Sequence, residues 1–321
     1  MEKKENNNNN NEIKNNNNKN TNNNENNNNK NNNEKNNKNN NKINDKNNNN
    51  NNIIEFFIGK SYTQIGHELT NSHENIFKTI LQSRSIPEKP LTTNTINYIL
   101  NQISNMDSNN GPFHIGIGER EGRILSNLVH QRNYGLVHGM GRSGNINDLQ
   151  PKAVGSSLLV QLTISMTKNL LHSIGMTFIK DLLILPFATG MAMTLSFLTL
   201  RLLKPNAKYI IWSRIDQKTC FKCIITSGFI QIIIDPIIKK NTENNNNNDY
   251  ELITNIEKIT TKINELGKEN ILCIFSTTSC FSPRNYDDIE SLSLICKENN
   301  IFHVVNNAYG IQCTKIVDYF K

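Results

Sequence analysis

Residues 139–144 read Gly-Met-Gly-Arg-Ser-Gly, a G-x-G-x-x-G spacing that runs on into Asn-Ile-Asn-Asp-Leu-Gln. Glycines at this spacing let backbone N–H groups close around an oxyanion. Arg142 adds a guanidinium fork, Ser143 a hydroxyl and Gln150 an amide. Three readings are open: a dinucleotide-binding turn, another kind of phosphate cradle, or a glycine-rich connection. A dinucleotide turn needs an acidic residue about 20 positions later to hold the ribose. No Asp or Glu lies between Asp148 and Asp181, which removes the dinucleotide reading.

Four other segments carry polar side chains directly after apolar runs: ATGM (188–191), SRIDQKTC (213–220), STTSCFSPR (276–284) and NNAYG (306–310). Ala188-Thr189-Gly190 opens a helical pattern, so it offers backbone N–H groups and a hydroxyl to an anion. The Ser-Thr-Thr-Ser run adds hydroxyls. Asn306 and Asn307 follow an apolar run that predicts a strand, where a side chain points into a cleft. Together these loops suit a flat, phosphorylated cofactor better than a dinucleotide. Each loop alone is ordinary turn chemistry. Cys220-Phe-Lys-Cys223 is a C-x-x-C, but no second Cys or His pair follows at zinc-site spacing, so a structural role is expected and no metal site.

The elements that must position these loops follow from periodicity. Apolar runs at 182–187, 208–212, 230–234, 271–275 and 301–305 predict strands, and helical runs lie near 190–203, 217–227, 250–266 and 286–299. Such alternation predicts a mainly parallel sheet covered on both faces, with ligands at the carboxyl ends of its strands. The loops starting at Ala188, Ser213, Ser276 and Asn306 are therefore expected to converge. Residues 53–110 read as helical, with Ile76, Ile80 and Leu81 on one face and Ile96, Ile99, Leu100 and Ile103 on another. The uncharged span 182–200 is long enough for a bilayer. Pro186 and Thr189-Gly190 break it, however, and a buried strand entering a buried helix is the expectation.

Residues 1–52 are mostly Asn, and that composition predicts disorder. The Asn run 244–248 reads as an expanded surface loop. Of the net charge of +7, the tail's nine Lys against six acids supply three. The mildly basic remainder fits either an RNA partner or a solvated surface. Six cysteines and no visible signal peptide point to a reducing, cytoplasmic setting.

The segments MDSNN (106–110), GIGEREGR (116–123), HGMGRSGNINDLQPKA (138–153), VGSSLL (154–159), PFATGM (186–191), KYIIWSRIDQKTCFK (208–222), ILCIFSTTSCFSPR (271–284) and VVNNAYG (304–310) closely resemble the O-phosphoseryl-tRNA(Sec) selenium transferase family. The similarity runs from about residue 77 to the last residue, and the Asn-rich tail has no counterpart. The resemblance implies an α/β fold, the fold-type I (aspartate aminotransferase-like) large domain of pyridoxal-phosphate enzymes, incomplete here and carrying an N-terminal helical extension. It divides the chain into a tail (1–52), a helical region on the oligomerisation and tRNA side (53–110), and a partial cofactor-binding domain (111–321) with the phosphate loop at 139–151. The implied activity converts O-phosphoseryl-tRNA(Sec) to selenocysteinyl-tRNA(Sec). It uses pyridoxal 5′-phosphate as cofactor and selenophosphate as selenium donor, in a cytoplasmic homotetramer with no membrane or DNA partner.

Carried over residue by residue, the resemblance makes Arg142, Ser143 and Gln150 ligands of the substrate phosphate. It makes Arg120, Ala188, Thr189, Gly190, Gln217, Asn306 and Asn307 cofactor contacts, without deciding which Asn meets the ring. Asn stands where fold-type I enzymes usually place Asp against the ring nitrogen. Glu119 becomes a filter whose carboxylate repels the free α-carboxylate of phosphoserine but tolerates an aminoacyl ester; without the resemblance, EREGR is a solvated helical charge face. The Schiff-base lysine is expected about thirty residues beyond Lys321, so no catalytic residue is assigned. Two readings follow: a fragment of a selenium transferase, or a short, inactive product that binds RNA or family subunits only.

Overall fold

The computed structural model describes residues 53–111, 124–139, 141–240, 250–279 and 284–320. The Asn-rich tail, the Asn run 244–248, GIGEREGR with Glu119 and Arg120, and residues 280–283 lie outside the described residues. The chain divides into two units, Met1–Thr79 and Ile80–Lys321. In the first, residues 53–58 are helical, Gly59 breaks the run at φ 80°, and helix α1 (Lys60–Ser83) follows.

The second unit begins with α2 (Thr93–Ser104), started by the Thr92 hydroxyl accepting from the Thr95 N–H. A short α3 (Asn127–Arg132) precedes the phosphate loop, and α4 (Val154–Ser173) follows it. α4 packs on α2 so closely that a Cβ at position 155 would collide with the Ile103 carbonyl oxygen; only Gly155 fits.

The core is a four-stranded parallel sheet: β1 (Tyr209–Ser213), β2 (Ile230–Ile234), β5 (Ile271–Thr277) and β6 (Phe302–Asn306), in the order β2-β1-β5-β6. Alternation along β1 sends Ile210 and Trp212 to one face and Ile211 to the other. The first face packs on α5 (Thr189–Leu203) and α6 (Lys218–Thr226) through Phe197, Cys220 and Ile224. The second packs on α7 (Ile256–Leu266) and α8 (Ile289–Asn299) through Ile259, Ile263 and Leu292. All seven residues of β5 are buried, as expected for a strand covered on both sides. Two short antiparallel strands, β3 (Ile237–Lys240) and β4 (Tyr250–Ile253), flank the Asn run. The short helix α9 (Thr314–Asp318) comes last among the described elements.

Two expectations are corrected. Residues 182–187 form no strand. They are partly exposed, and no ladder bond from a neighbouring described strand satisfies their backbone. Helix α7 begins at Ile256 rather than near 250, because residues 250–253 pair with β3 and the Asn255 side chain, accepting from the Lys258 N–H, starts the helix. The apolar run 182–200 does not make one helix: α5 starts only at Thr189, and no helix among the described residues is long and apolar enough to cross a membrane.

Candidate active site

The phosphate loop builds its own pocket. Arg142 and Asn145 exchange both backbone hydrogen bonds, at 2.8 and 2.9 Å, across Ser143 and Gly144. Both central residues hold positive φ, 51° and 88°, as a type I′ turn requires. Gly141, at φ 74°, precedes this turn. The turn pairs the Arg142 and Asn145 carbonyls internally, and the Arg142 and Ser143 side chains line the pocket. Arg142, Ser143, Gln150, His138 and Lys152, with the backbone of Gly139 and Gly141, line a cavity of about 510 Å³. Among the described residues, no acidic side chain lines it. The three residues expected to hold a phosphate are thus brought together. His138 and Lys152 join them, and sequence reasoning had not singled them out, although both stand in the same motif.

A second group forms at the carboxyl ends of the strands. Ala188 precedes the first turn of α5; the Met191 N–H of that turn is taken by the Ala188 carbonyl at 2.9 Å, which leaves the Thr189 and Gly190 N–H groups without an intrahelical acceptor. Gly190, in that turn, lies against α6: a Cβ there would sit 2.7 Å from the Thr219 methyl. Gln217 precedes α6 and accepts from the Cys220 thiol at 3.4 Å. The Asn306 amide donates to the same sulfur at 3.6 Å. Thr189-Gly190, Gln217 and Asn306 therefore share one cup, through the first turns of α5 and α6.

The two Asn differ. The Asn307 side-chain oxygen is taken by the Thr278 hydroxyl at 2.6 Å and lies against Gly310. Asn306 points toward Cys220 and Gln217. Asn306 thus belongs to the cup, and Asn307 braces the turn behind it.

A carboxylate that no motif singles out ties the strand ends together. Asp287 is fully buried. Its Oδ1 accepts from the Ser213 hydroxyl at 2.6 Å, the Thr254 hydroxyl at 2.8 Å and Arg284 Nη2 at 2.6 Å, and its Oδ2 from the Thr277 N–H at 2.8 Å. Arg284 Nη1 also donates to the Arg214 carbonyl at 2.7 Å. One ion pair thus ties the ends of β1 and β5 and the β4–α7 turn. The only sequence signal was Arg and Asp three positions apart.

Cys223, Cys273 and Cys296 are buried in this setting, and His303 is half-buried. Burial pushes the Cys223 and Cys296 thiols up to about 12 and holds Cys273 well above the usual thiol value. Cys223 donates to the Cys220 carbonyl within α6. His303 lies between the Ser276 and Ser293 hydroxyls, at 2.7 and 3.0 Å, and burial lowers its pKa to about 4.

Comparison with known proteins is decisive. The family model for O-phosphoseryl-tRNA(Sec) selenium transferase matches residues 106–321. The chain belongs to this family. Curated relatives carrying that description include one from Dictyostelium discoideum, 46% identical over 80% of this chain and 52% of its own length. One from Caenorhabditis elegans is 38% identical over 81% and 52%. The chain therefore spans about half the length of these relatives. The crystal structure of an archaeal O-phosphoseryl-tRNA(Sec) selenium transferase superposes with a TM-score of 0.71 at 27% identity, covering 82% of this chain and 58% of that one. The fold is accordingly the fold-type I α/β large domain read from the sequence. The family match takes in MDSNN, the phosphate loop and all four strand-end loops.

Proposed function

We propose that this chain supplies the substrate-phosphate pocket and part of the cofactor cup of an enzyme that converts O-phosphoseryl-tRNA(Sec) to selenocysteinyl-tRNA(Sec), with selenophosphate as donor. The observation that carries the reading is the cavity that gathers Arg142, Ser143 and Gln150 around a type I′ turn. A phosphate ester is a dianion with three acceptor oxygens. A guanidinium fork, a hydroxyl and an amide match it donor for acceptor, and become more favourable as charge grows on a departing phosphate.

The cup fits pyridoxal phosphate by its donor set. The first turn of α5 with the Thr189 hydroxyl would take the cofactor phosphate, and Gly190 keeps that turn open against Thr219. Asn306, at the carboxyl end of β6, would face the pyridine nitrogen, with Gln217 beside it. When bound, the cofactor supplies an electron sink for chemistry at the substrate's α-carbon. A neutral Asn hydrogen-bonds the ring nitrogen without fixing a proton on it, which suffices where the leaving group is as good as phosphate. Arg120 is proposed as a further cofactor contact. Glu119 is proposed as the filter that excludes free phosphoserine by charge repulsion. The tRNA partner, a homotetrameric assembly and a cytoplasmic location complete the proposal by family resemblance.

The test compares O-phosphoseryl-tRNA(Sec) with seryl-tRNA(Sec) in filter binding. The phosphorylated form binds at least tenfold tighter, and Arg142→Ala abolishes the difference. Equal binding of the two by the unaltered protein rejects the phosphate-pocket assignment.

A further inference from the structure

The MDSNN segment lines neither the phosphate pocket nor the cofactor cup, yet it grips the phosphate loop at both ends. On the downstream side, Asp107 is 1% exposed. Its Oδ1 accepts from the Ser156 N–H at 2.9 Å and its Oδ2 from the Ser156 hydroxyl at 2.5 Å. Ser156 is the third residue of α4, so a carboxylate 49 positions away does the work of an N-cap, which Ala153 at that position cannot do. The Ser108 N–H donates to the Lys152 carbonyl at 2.9 Å, and Asp107 and Ala153 form a β-bridge. Within the same stem, the Gln150 N–H donates to the Ser157 hydroxyl at 3.0 Å.

On the upstream side, the Asn110 amide donates to the Gly135 carbonyl at 3.0 Å and to the Ser104 carbonyl at 2.9 Å. The Asn109 amide reaches the same Gly135 carbonyl at 3.4 Å. Four consecutive residues at the end of α2 therefore hold position 135 on one side of the loop and positions 152–156 on the other. The pocket residues, 138–152, hang between these two anchors.

We infer that Asp107 and Asn110 are positioning residues for the phosphate pocket: a buried clamp that fixes both stems of the loop and so sets the placement of Arg142, Ser143 and Gln150. A loop held at two fixed stems arrives ordered, and its ligand does not bear the cost of ordering it. Loosening either stem transfers that cost to phosphate binding while leaving every pocket side chain in place. This inference rests on the phosphate-pocket reading, and its test separates the two.

The experiment uses the full chain with Asn110→Asp, which removes the amide donor at the upstream stem, and Ser156→Ala, which deletes one hydroxyl at the downstream stem. Thr92→Ala is the control: it removes the cap of α2 and destabilises the same unit away from the loop. Inorganic phosphate affinity is measured by ³¹P NMR titration, and hydrogen exchange is followed through residues 136–153. Both clamp variants are expected to bind phosphate about fivefold or more weakly and to exchange faster through 136–153. Thr92→Ala changes neither. Wild-type affinity and wild-type exchange in the folded clamp variants overturn the inference. If Asn110→Asp does not fold, Ser156→Ala decides alone. If the unaltered protein binds no phosphate, the pocket reading falls, and exchange protection still judges the clamp.

Discussion

Replacing Asp287 by Asn removes a charge and keeps the shape. Arg284 is 4% exposed and its Nη2 lies 2.6 Å from Asp287 Oδ1. Leaving a buried cation without its partner costs about 3–5 kcal/mol. The lower end applies here, because Arg284 keeps its bonds to the Arg214 and Asn285 carbonyls. The amide has one acceptor where the carboxylate had two. With its oxygen toward Ser213, Thr254 and Arg284, its NH₂ faces the Thr277 N–H, and that unmet donor adds about 1 kcal/mol. The total is about 4 kcal/mol, a large part of the 5–15 kcal/mol typical of a whole domain. Arg284→Met costs about 3 kcal/mol for the opposite reason, since Asp287 retains its neutral donors. The double variant buries no charge, so the costs do not add, and a coupling of about 3 kcal/mol is expected. Denaturant unfolding of the four proteins gives the cycle. Additive effects, or a loss below about 1 kcal/mol for Asp287→Asn, would refute the argument that this ion pair holds the strand ends.

Other outcomes follow from the same structure. His303 has its pKa lowered from 6.5 to about 4 by burial, so the unfolded chain takes up its proton first as pH falls. The stability it contributes is complete above pH 6.5 and is lost as pH drops toward 4, by about 3 kcal/mol at most, and His303→Gln removes that share of the slope in pH-dependent unfolding. Iodoacetamide at pH 8 should label the exposed Cys313 in the native protein, while Cys220, Cys223, Cys273 and Cys296 react only on unfolding, as mass spectrometry of the labelled peptides would show. In the family setting Glu119→Gln is expected to improve binding of free O-phosphoserine relative to its aminoacyl-tRNA form; unchanged discrimination removes the filter.

The strands legible in the sequence were those of the parallel sheet. β1, β2, β5 and β6 stand within a residue or two of their apolar runs; β5 is buried along its whole length, as an unbroken apolar run suits, whereas β2 leaves Ile230 and Ile233 exposed. Residues 182–187 have the same composition, yet they are partly exposed and form no strand, because a ladder requires a neighbour that composition does not report. β3 and β4 went unread because each has only four residues, and Tyr250–Ile253 lies directly before a helical period that absorbed it. The strand-end loops were legible for the same reason as the strands, and they place Thr189, Gly190, Gln217 and Asn306 together. Choosing Asn306 over Asn307 needed the Thr278 hydrogen bond, which no spacing encodes. Asp107 and Asp287 were invisible as supports because their partners Ser156 and Ser213 lie 49 and 74 positions away.

The most direct test of the central claim is a crystal structure of this chain with the methyl ester of O-phosphoserine, which carries the phosphate and the amine but not the free carboxylate that Glu119 is proposed to repel. The account predicts the phosphate in the cavity of about 510 Å³, with Arg142 bidentate to it and Ser143 and Gln150 within hydrogen-bond distance. A phosphate bound elsewhere, or a pocket left empty at saturating ligand, would contradict it.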